Sequence, residues 1–230
     1  MQSRYIVGVL VLALAGCRPA APQQSTMAAV DSQRPSAPAP QRPTVVFLGT
    51  SLTAGLGVDP GQAYPALIQK MADSAGLTLL VENRGNSGET SAGALARLDW
   101  ILQTPPAVLV IETGANDGLR GQDPDSIRAT ILAIIDRTRA RDSTTRIALV
   151  AMEAMPNLGR RYVEQFRGIY PAIARTERVV LVPFLLEGVA GVDSLNQGDG
   201  IHPTAAGHRR VAANVWRALR PILEAVGRGN

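Results

Sequence analysis

Five short apolar runs, each ending near glycine, proline or a polar turn, set the rhythm of the chain from residue 44 onward. They are 44–48 (TVVFL, closed by Gly49), 77–81, 107–111 (AVLVI), 146–152 (RIALVAM) and 179–182. Runs that are apolar throughout, without alternation, mark strands buried on both faces, as in a parallel sheet. Between and after them lie segments with helical spacing: 63–74, 91–102, 125–141, 161–174 and 204–226. In 125–141 Ile127, Ile131, Ile134 and Ile135 share one face, with Asp123 or Asp125 available as cap, and Thr204 is placed to cap the last helix. Strands alternating with helices predict an α/β protein of three layers, α/β/α, around a five-stranded parallel sheet. In such a sheet, ligands bind beyond the carboxyl ends of the strands. The chemistry is therefore expected in the segments that follow each strand.

The stretch before residue 44 has a different character. Residues 6–15 are almost unbroken apolar sequence behind Arg4. A run of about ten residues is too short to span a bilayer, which takes roughly 20, but matches the core of a signal peptide. Leu14-Ala15-Gly16-Cys17 closes the run and resembles a bacterial lipoprotein signal. That resemblance implies residues 1–17 as signal peptide, lipidation of Cys17 and a membrane anchor there, with Arg18 in the next position pointing to the outer membrane. Residues 18–43 contain Pro19, Pro22, Pro35, Pro38, Pro40 and Pro43 among Ala, Gln and Ser, and read as an extended linker. The globular domain is expected over 44–230.

Composition narrows the function classes. The chain has 230 residues, 46% hydrophobic and 18% charged, which is enough for a sizeable core and excludes a disordered polyampholyte. With one Cys there is no intrachain disulfide and no cysteine-based metal cluster. The two histidines, His202 and His208, are too few for a histidine-rich metal site, so no metal and no cofactor is expected. The net charge of +4 comes from arginines scattered among acids, and no basic tract suggests nucleic acid. His208, beside Arg209 and Arg210 at the start of the last helix, reads as solvent-facing.

Four segments follow the strands in order: Gly49-Thr50-Ser51-Leu52, then Asn83-Arg84-Gly85-Asn86-Ser87-Gly88-Glu89, then Glu112-Thr113-Gly114-Ala115-Asn116-Asp117-Gly118, and finally Asp199-Gly200-Ile201-His202-Pro203. Together they resemble the blocks of the SGNH (GDSL) hydrolases, nearest the thioesterase, lysophospholipase and arylesterase branch. The resemblance runs from about Val45 to Leu223, through Leu119-Arg120-Gly121 and Gly159-Arg160-Arg161-Tyr162. It implies a flavodoxin-like fold and a serine hydrolase acting on acyl esters. One position departs from it: Thr50 stands where the family's name-giving motif has Asp.

The residues suit that chemistry. Acyl transfer needs a nucleophile, a base, a group that orients the base, and donors for the oxyanion. Ser51 is expected as nucleophile, His202 as base and Asp199, three residues before it, as orienting carboxylate. The N–H groups of Ser51 and Gly88 and the side-chain amide of Asn116 are the expected oxyanion donors. Taken singly, each has a plainer role: Ser51 as a turn residue, Gly88 as a positive-φ glycine, Asn116-Asp117-Gly118 and Asp199-Gly200 as turns. Their joint order favours catalysis. The Gly-x-Ser-x-Gly elbow of α/β-hydrolases is absent, since Gly55 falls two residues late, and Pro60 breaks the dinucleotide-type spacing after Gly55 and Gly57. The expected enzyme is a monomer taking a small acyl ester, with an acyl pocket formed by 155–159 and 189–198 through Met155, Leu158, Val189, Val192 and Leu195. Two rival readings are an acetylesterase of envelope carbohydrates and a non-catalytic envelope-binding module.

Overall fold

A computed structural model describes residues 42–228. Cys17 and nearly all of the proline-rich segment lie outside the described residues. Five strands, β1 (Thr44–Gly49), β2 (Leu80–Gly85), β3 (Val108–Ile111), β4 (Arg146–Val150) and β5 (Val180–Val182), form one sheet in the order β2-β1-β3-β4-β5. Every pairing is parallel. The chain steps one way from β1 to β2 and the other way from β3 onward, so strand order reverses between β1 and β3. Their carboxyl ends are the place where an open α/β sheet forms a crevice.

Around the sheet lie α1 (Ser51–Ala54), α2 (Tyr64–Ser74), α3 (Ser91–Ala96), α4 (Leu98–Ile101), α5 (Ala115–Leu119), α6 (Pro124–Arg141), α7 (Arg160–Glu177) and α8 (Ala205–Gly227). Helix α2 packs against α8, while α3 packs on α6 and α6 on α7. Right-handed crossovers place these two sets on opposite faces of the sheet. The central strands explain their apolar sequence. Val45, Phe47, Leu48 and all of β3 are sealed between the helical layers, which favours burial by about 1.5–3 kcal/mol for each large side chain.

Three expectations need correction. The second strand is not 77–81 but Leu80–Gly85. Leu77 and Leu79 are buried in the approach to the strand, whereas β2 is an edge strand and tolerates Glu82, Asn83 and Arg84 on its open side. The helix expected over 91–102 breaks at Arg97, whose guanidinium turns back to Glu89 and to the carbonyl of Arg84. His208 is not solvent-facing: it is 1% exposed and its ring lies parallel to Tyr64 at 6.4 Å. It falls on the inner stripe of α8 with Val211, Ala212, Val215, Leu219 and Leu223, a helical spacing that overrides its polar neighbours.

Candidate active site

The first site segment is shaped by an abrupt change from strand to helix. β1 ends at Gly49, Thr50 is extended (φ −97°, ψ −155°) and caps α1, and Ser51 is the first helical residue. Gly55 ends this single turn in the left-handed region at φ 79°. Ser51 is held at the carboxyl end of β1 with its backbone N–H at a helix N-terminus, where N–H groups lack intrahelical acceptors. That N–H and the N–H of Gly88 have no acceptor among the described residues.

His202 arrives from the other end of the chain, on the loop before α8. Its Nε2 lies 2.9 Å from Ser51 Oγ, and its Nδ1 lies 2.6 Å from Asp199 Oδ2. The other Asp199 oxygen accepts from the N–H groups of Ile201 at 2.9 Å and His202 at 3.0 Å. One carboxylate thus shapes the turn and orients the ring. The turn needs Gly200 at φ 70°, a conformation that residues with a Cβ rarely adopt. The bond to the His202 ring, then the two N–H donors, hold the Asp199 carboxyl well below the ordinary carboxylate range. Gln197 ties the two segments together: its side-chain amide donates to the carbonyl of Leu56 at 2.7 Å and to that of Pro203 at 3.0 Å.

Gly88 and Asn116 stand on adjacent loops, after β2 and after β3. Gly88 has φ 78°, which leaves its peptide turned as few other residues would allow. Arg120 donates to its carbonyl at 3.1 Å. Asn116 lies in α5, and its Nδ2 donates to the carbonyl of Glu89 at 3.0 Å, so one of its two amide hydrogens is committed there. Asp117 clamps the two loops. Wholly buried, it accepts from Ser91 N–H at 2.8 Å and Ser91 Oγ at 2.6 Å. Burial of a charge is tolerable only with such charge-assisted bonds. Glu89, also buried, pairs with Arg97 at 2.7 Å and accepts from Asn86 at 2.9 Å. Sequence alone carries no signal for the roles of Asp117, Glu89 and Gln197, and shows Asp117 only as part of a turn.

Beside the Ser51–His202 pair opens a cavity of about 220 Å³ lined mainly by apolar groups, among them Leu52, Leu119, Met152, Met155, Phe184 and Ile201. Of the five apolar side chains expected there, only Met155 lines it. Val189 is wholly buried and bonded into the loop by its carbonyl, which accepts from Asn196, and Leu195 packs its backbone against Gly207 of α8. Among the described residues, no three His, Cys, Asp or Glu side chains are grouped so as to hold a metal ion.

Comparison with known proteins places this arrangement. Residues 47–210 match the model of the GDSL-like lipase/acylhydrolase family. The chain is 42% identical over 181 residues to esterase TesA of Pseudomonas aeruginosa, covering 78% of this chain and 89% of that one. It is 35% identical over 181 residues to the thioesterase 1/protease 1/lysophospholipase L1 of Escherichia coli K12, covering 78% and 85%. Among solved structures, esterase EstA of Pseudoalteromonas, inhibited by monoethylphosphonate, superposes with a TM-score of 0.74 at 30% identity, covering 79% of this chain and 99% of that one. A serine-bearing turn at the strand-order reversal, a parallel sheet ordered 2-1-3-4-5 and a family match over most of the chain give one conclusion: this protein belongs to the GDSL-like lipase/acylhydrolase family of SGNH serine hydrolases.

Proposed function

We propose that the protein is an esterase that cleaves acyl esters through an acyl-enzyme on Ser51. The observation that carries this reading is the alignment of Ser51 Oγ, the His202 ring and Asp199 at 2.9 and 2.6 Å beside an apolar cavity. Ser51 Oγ attacks the acyl carbon while His202 Nε2 takes its proton, and Asp199 holds the ring in the tautomer that leaves Nε2 free. The carbonyl oxygen becomes an oxyanion facing the N–H groups of Ser51 and Gly88 and the remaining amide hydrogen of Asn116. When the tetrahedral intermediate collapses, His202 returns the proton to the departing alcohol or thiol. Water then repeats the sequence, giving its proton to His202 and attacking the acyl carbon, and the acid leaves as Ser51 regains its hydrogen.

The cavity wall favours a fatty or aryl acyl group over acetyl, in keeping with relatives named esterase and lysophospholipase. The protein is expected to hydrolyse p-nitrophenyl esters and to be labelled by a fluorophosphonate, and Ser51→Ala is expected to lose both. Equal turnover by the two proteins would refute the assignment, and absence of labelling in the wild type would favour a binding module. Strict preference for acetyl esters would favour a carbohydrate acetylesterase. The lipobox-like Leu14-Ala15-Gly16-Cys17 supports a lipid anchor in the cell envelope, with the domain acting as a monomer on the far side of its linker. Incorporation of labelled fatty acid that is abolished by Cys17→Ser is the test; unlabelled wild type would remove the anchor.

A further inference from the structure

Behind the serine turn lies a carboxyl group that the acyl-transfer scheme does not use. Glu112, the residue after β3, is 1% exposed. It accepts from Thr50 N–H at 2.8 Å and from Thr53 Oγ1 at 2.8 Å, and Thr50 Oγ1 lies 3.0 Å from each of its oxygens. Thr50 and Thr53 stand on either side of Ser51 and Leu52, so its donors bracket the turn that presents Ser51 Oγ. β1 comes close enough for this only because residue 49 is glycine: a Cβ there would lie 2.7 Å from Glu112 Oε2.

Other ionisable groups surround Glu112 without bonding to it. From α2, the Tyr64 hydroxyl is 2.7 Å from Thr53 Oγ1. From α7, Tyr170 donates to the carbonyl of Thr113 at 2.9 Å. From α8, His208 stacks on Tyr64, and from α5, Asp117 is held by Ser91. Arg97, between α3 and α4, reaches the Gly49 carbonyl at 3.5 Å but is paired with Glu89. With no cation bonded to Glu112 among the described residues, the threonine donors stabilise its charged form.

We propose that Glu112 is the positioning residue of the nucleophile: as a carboxylate it fixes the Thr50–Thr53 turn so that Ser51 Oγ faces His202 Nε2, and on protonation it releases that turn. The proposal rests on Ser51 being the nucleophile. A carboxylate is acceptor only, which sets the direction of every hydrogen around it: Tyr64 to Thr53, Thr53 to Glu112, and Thr50 to Glu112. A protonated Glu112 must instead donate, and its oxygen without a second partner faces only Thr50 Oγ1. The Thr50 hydrogen then has to turn away, and the cap is rearranged. Burial pushes the Glu112 carboxyl up to about 7 against the pull of the threonine donors, so the two forms exchange near neutrality. Threonine at position 50 completes the device. An aspartate there would place a second carboxylate against Glu112, and two such groups share one proton rather than ionise together.

The test measures kcat and KM for an aryl ester against pH in the wild type, Ser51→Ala, Glu112→Gln, Thr50→Val and Thr50→Asp. Glu112→Gln is expected to lower kcat by up to about 100-fold with KM unchanged, the effect of a misaimed reacting group. The acidic limb of log kcat/KM approaches a slope of about two in the wild type, where a neutral imidazole and an ionised Glu112 are both required, and about one in Glu112→Gln. Thr50→Val removes a donor and is expected to move that limb to higher pH, with Thr50→Asp moving it further. Wild-type kcat and slope in Glu112→Gln, or a loss carried by KM alone, would overturn the proposal. If Glu112→Gln does not fold, an unmoved limb in Thr50→Val overturns it instead. An inactive Ser51→Ala beside an unaltered Glu112→Gln sinks this proposal alone; an active Ser51→Ala sinks the nucleophile assignment with it.

Discussion

Replacing His208 with leucine should make the protein more resistant to acid, by an amount that follows from its surroundings. The imidazole is 1% exposed, stacks on Tyr64, and has no hydrogen-bond partner for either ring nitrogen among the described residues. Burial, with a smaller push from His202, lowers it to about 4 from an ordinary 6.5. Between those values the unfolded chain binds a proton that the folded protein refuses, so the contribution of this one group is intact above about pH 6.5 and is lost as pH falls toward 4. At about 1.4 kcal/mol for each pH unit, the loss approaches 3 kcal/mol. Leucine fills a similar volume on the apolar stripe of α8 and does not titrate. Urea denaturation of both proteins at several pH values isolates the effect, because groups common to both cancel in the difference. The stability difference, variant minus wild type, should grow by about 3 kcal/mol from pH 7.5 to pH 4. Parallel curves over that range would show that the imidazole is not held neutral and would refute the reasoning.

Other perturbations probe the site and its supports. Asn116→Ala should lower kcat by about 100- to 1,000-fold with little change in KM, measured on an aryl ester. Asp117→Ala leaves the Ser91 hydroxyl and N–H unpaired in a buried clamp and should cost about 3 kcal/mol in denaturant unfolding, with activity falling alongside. Ala154→Phe projects a ring into the apolar cavity and should shift preference from long to short acyl p-nitrophenyl esters, while turnover of acetyl esters persists. Gly49→Ala should destabilise the protein and abolish ester turnover, since its Cβ would meet Thr53 and Glu112.

The central fold was legible because its causes are local and repetitive. β1, β3 and β4 are buried on both faces and therefore read as unbroken apolar runs, and α6 and α8 carry their caps, Asp123 and Thr204, in sequence. β2 carries no such run because half of its environment is open, and there an apolar run is not what makes a strand. The polar segments after each strand were legible as candidates, since a buried sheet leaves its chemistry to the loops. What sequence could not supply was the side-chain traffic between them. Gln197 reaches Leu56 across most of the domain, and Glu112 meets Thr50 only because β1 and β3 are neighbours. Thr50 looked like a local departure from a motif; in three dimensions it is half of a contact.

The two buried ionisable groups behind the site act on stability with opposite signs, and this bears on why both can be tolerated. Glu112 titrates at about 7 in the fold and near 4.5 when unfolded, so rising pH through that interval favours the unfolded chain. His208 does the reverse between 6.5 and about 4. Each contribution approaches about 3 kcal/mol, and over the shared range one grows as the other fades. Their sum is nearly level from about pH 4 to about pH 7. The single variants should therefore tilt in opposite directions: His208→Leu less stable as pH rises, because Glu112 is then uncompensated, and Glu112→Gln less stable as pH falls, because His208 is. Removing both should restore a level profile. A double variant that tilts as steeply as either single one would mean that the slope comes from titrating groups other than Glu112 and His208.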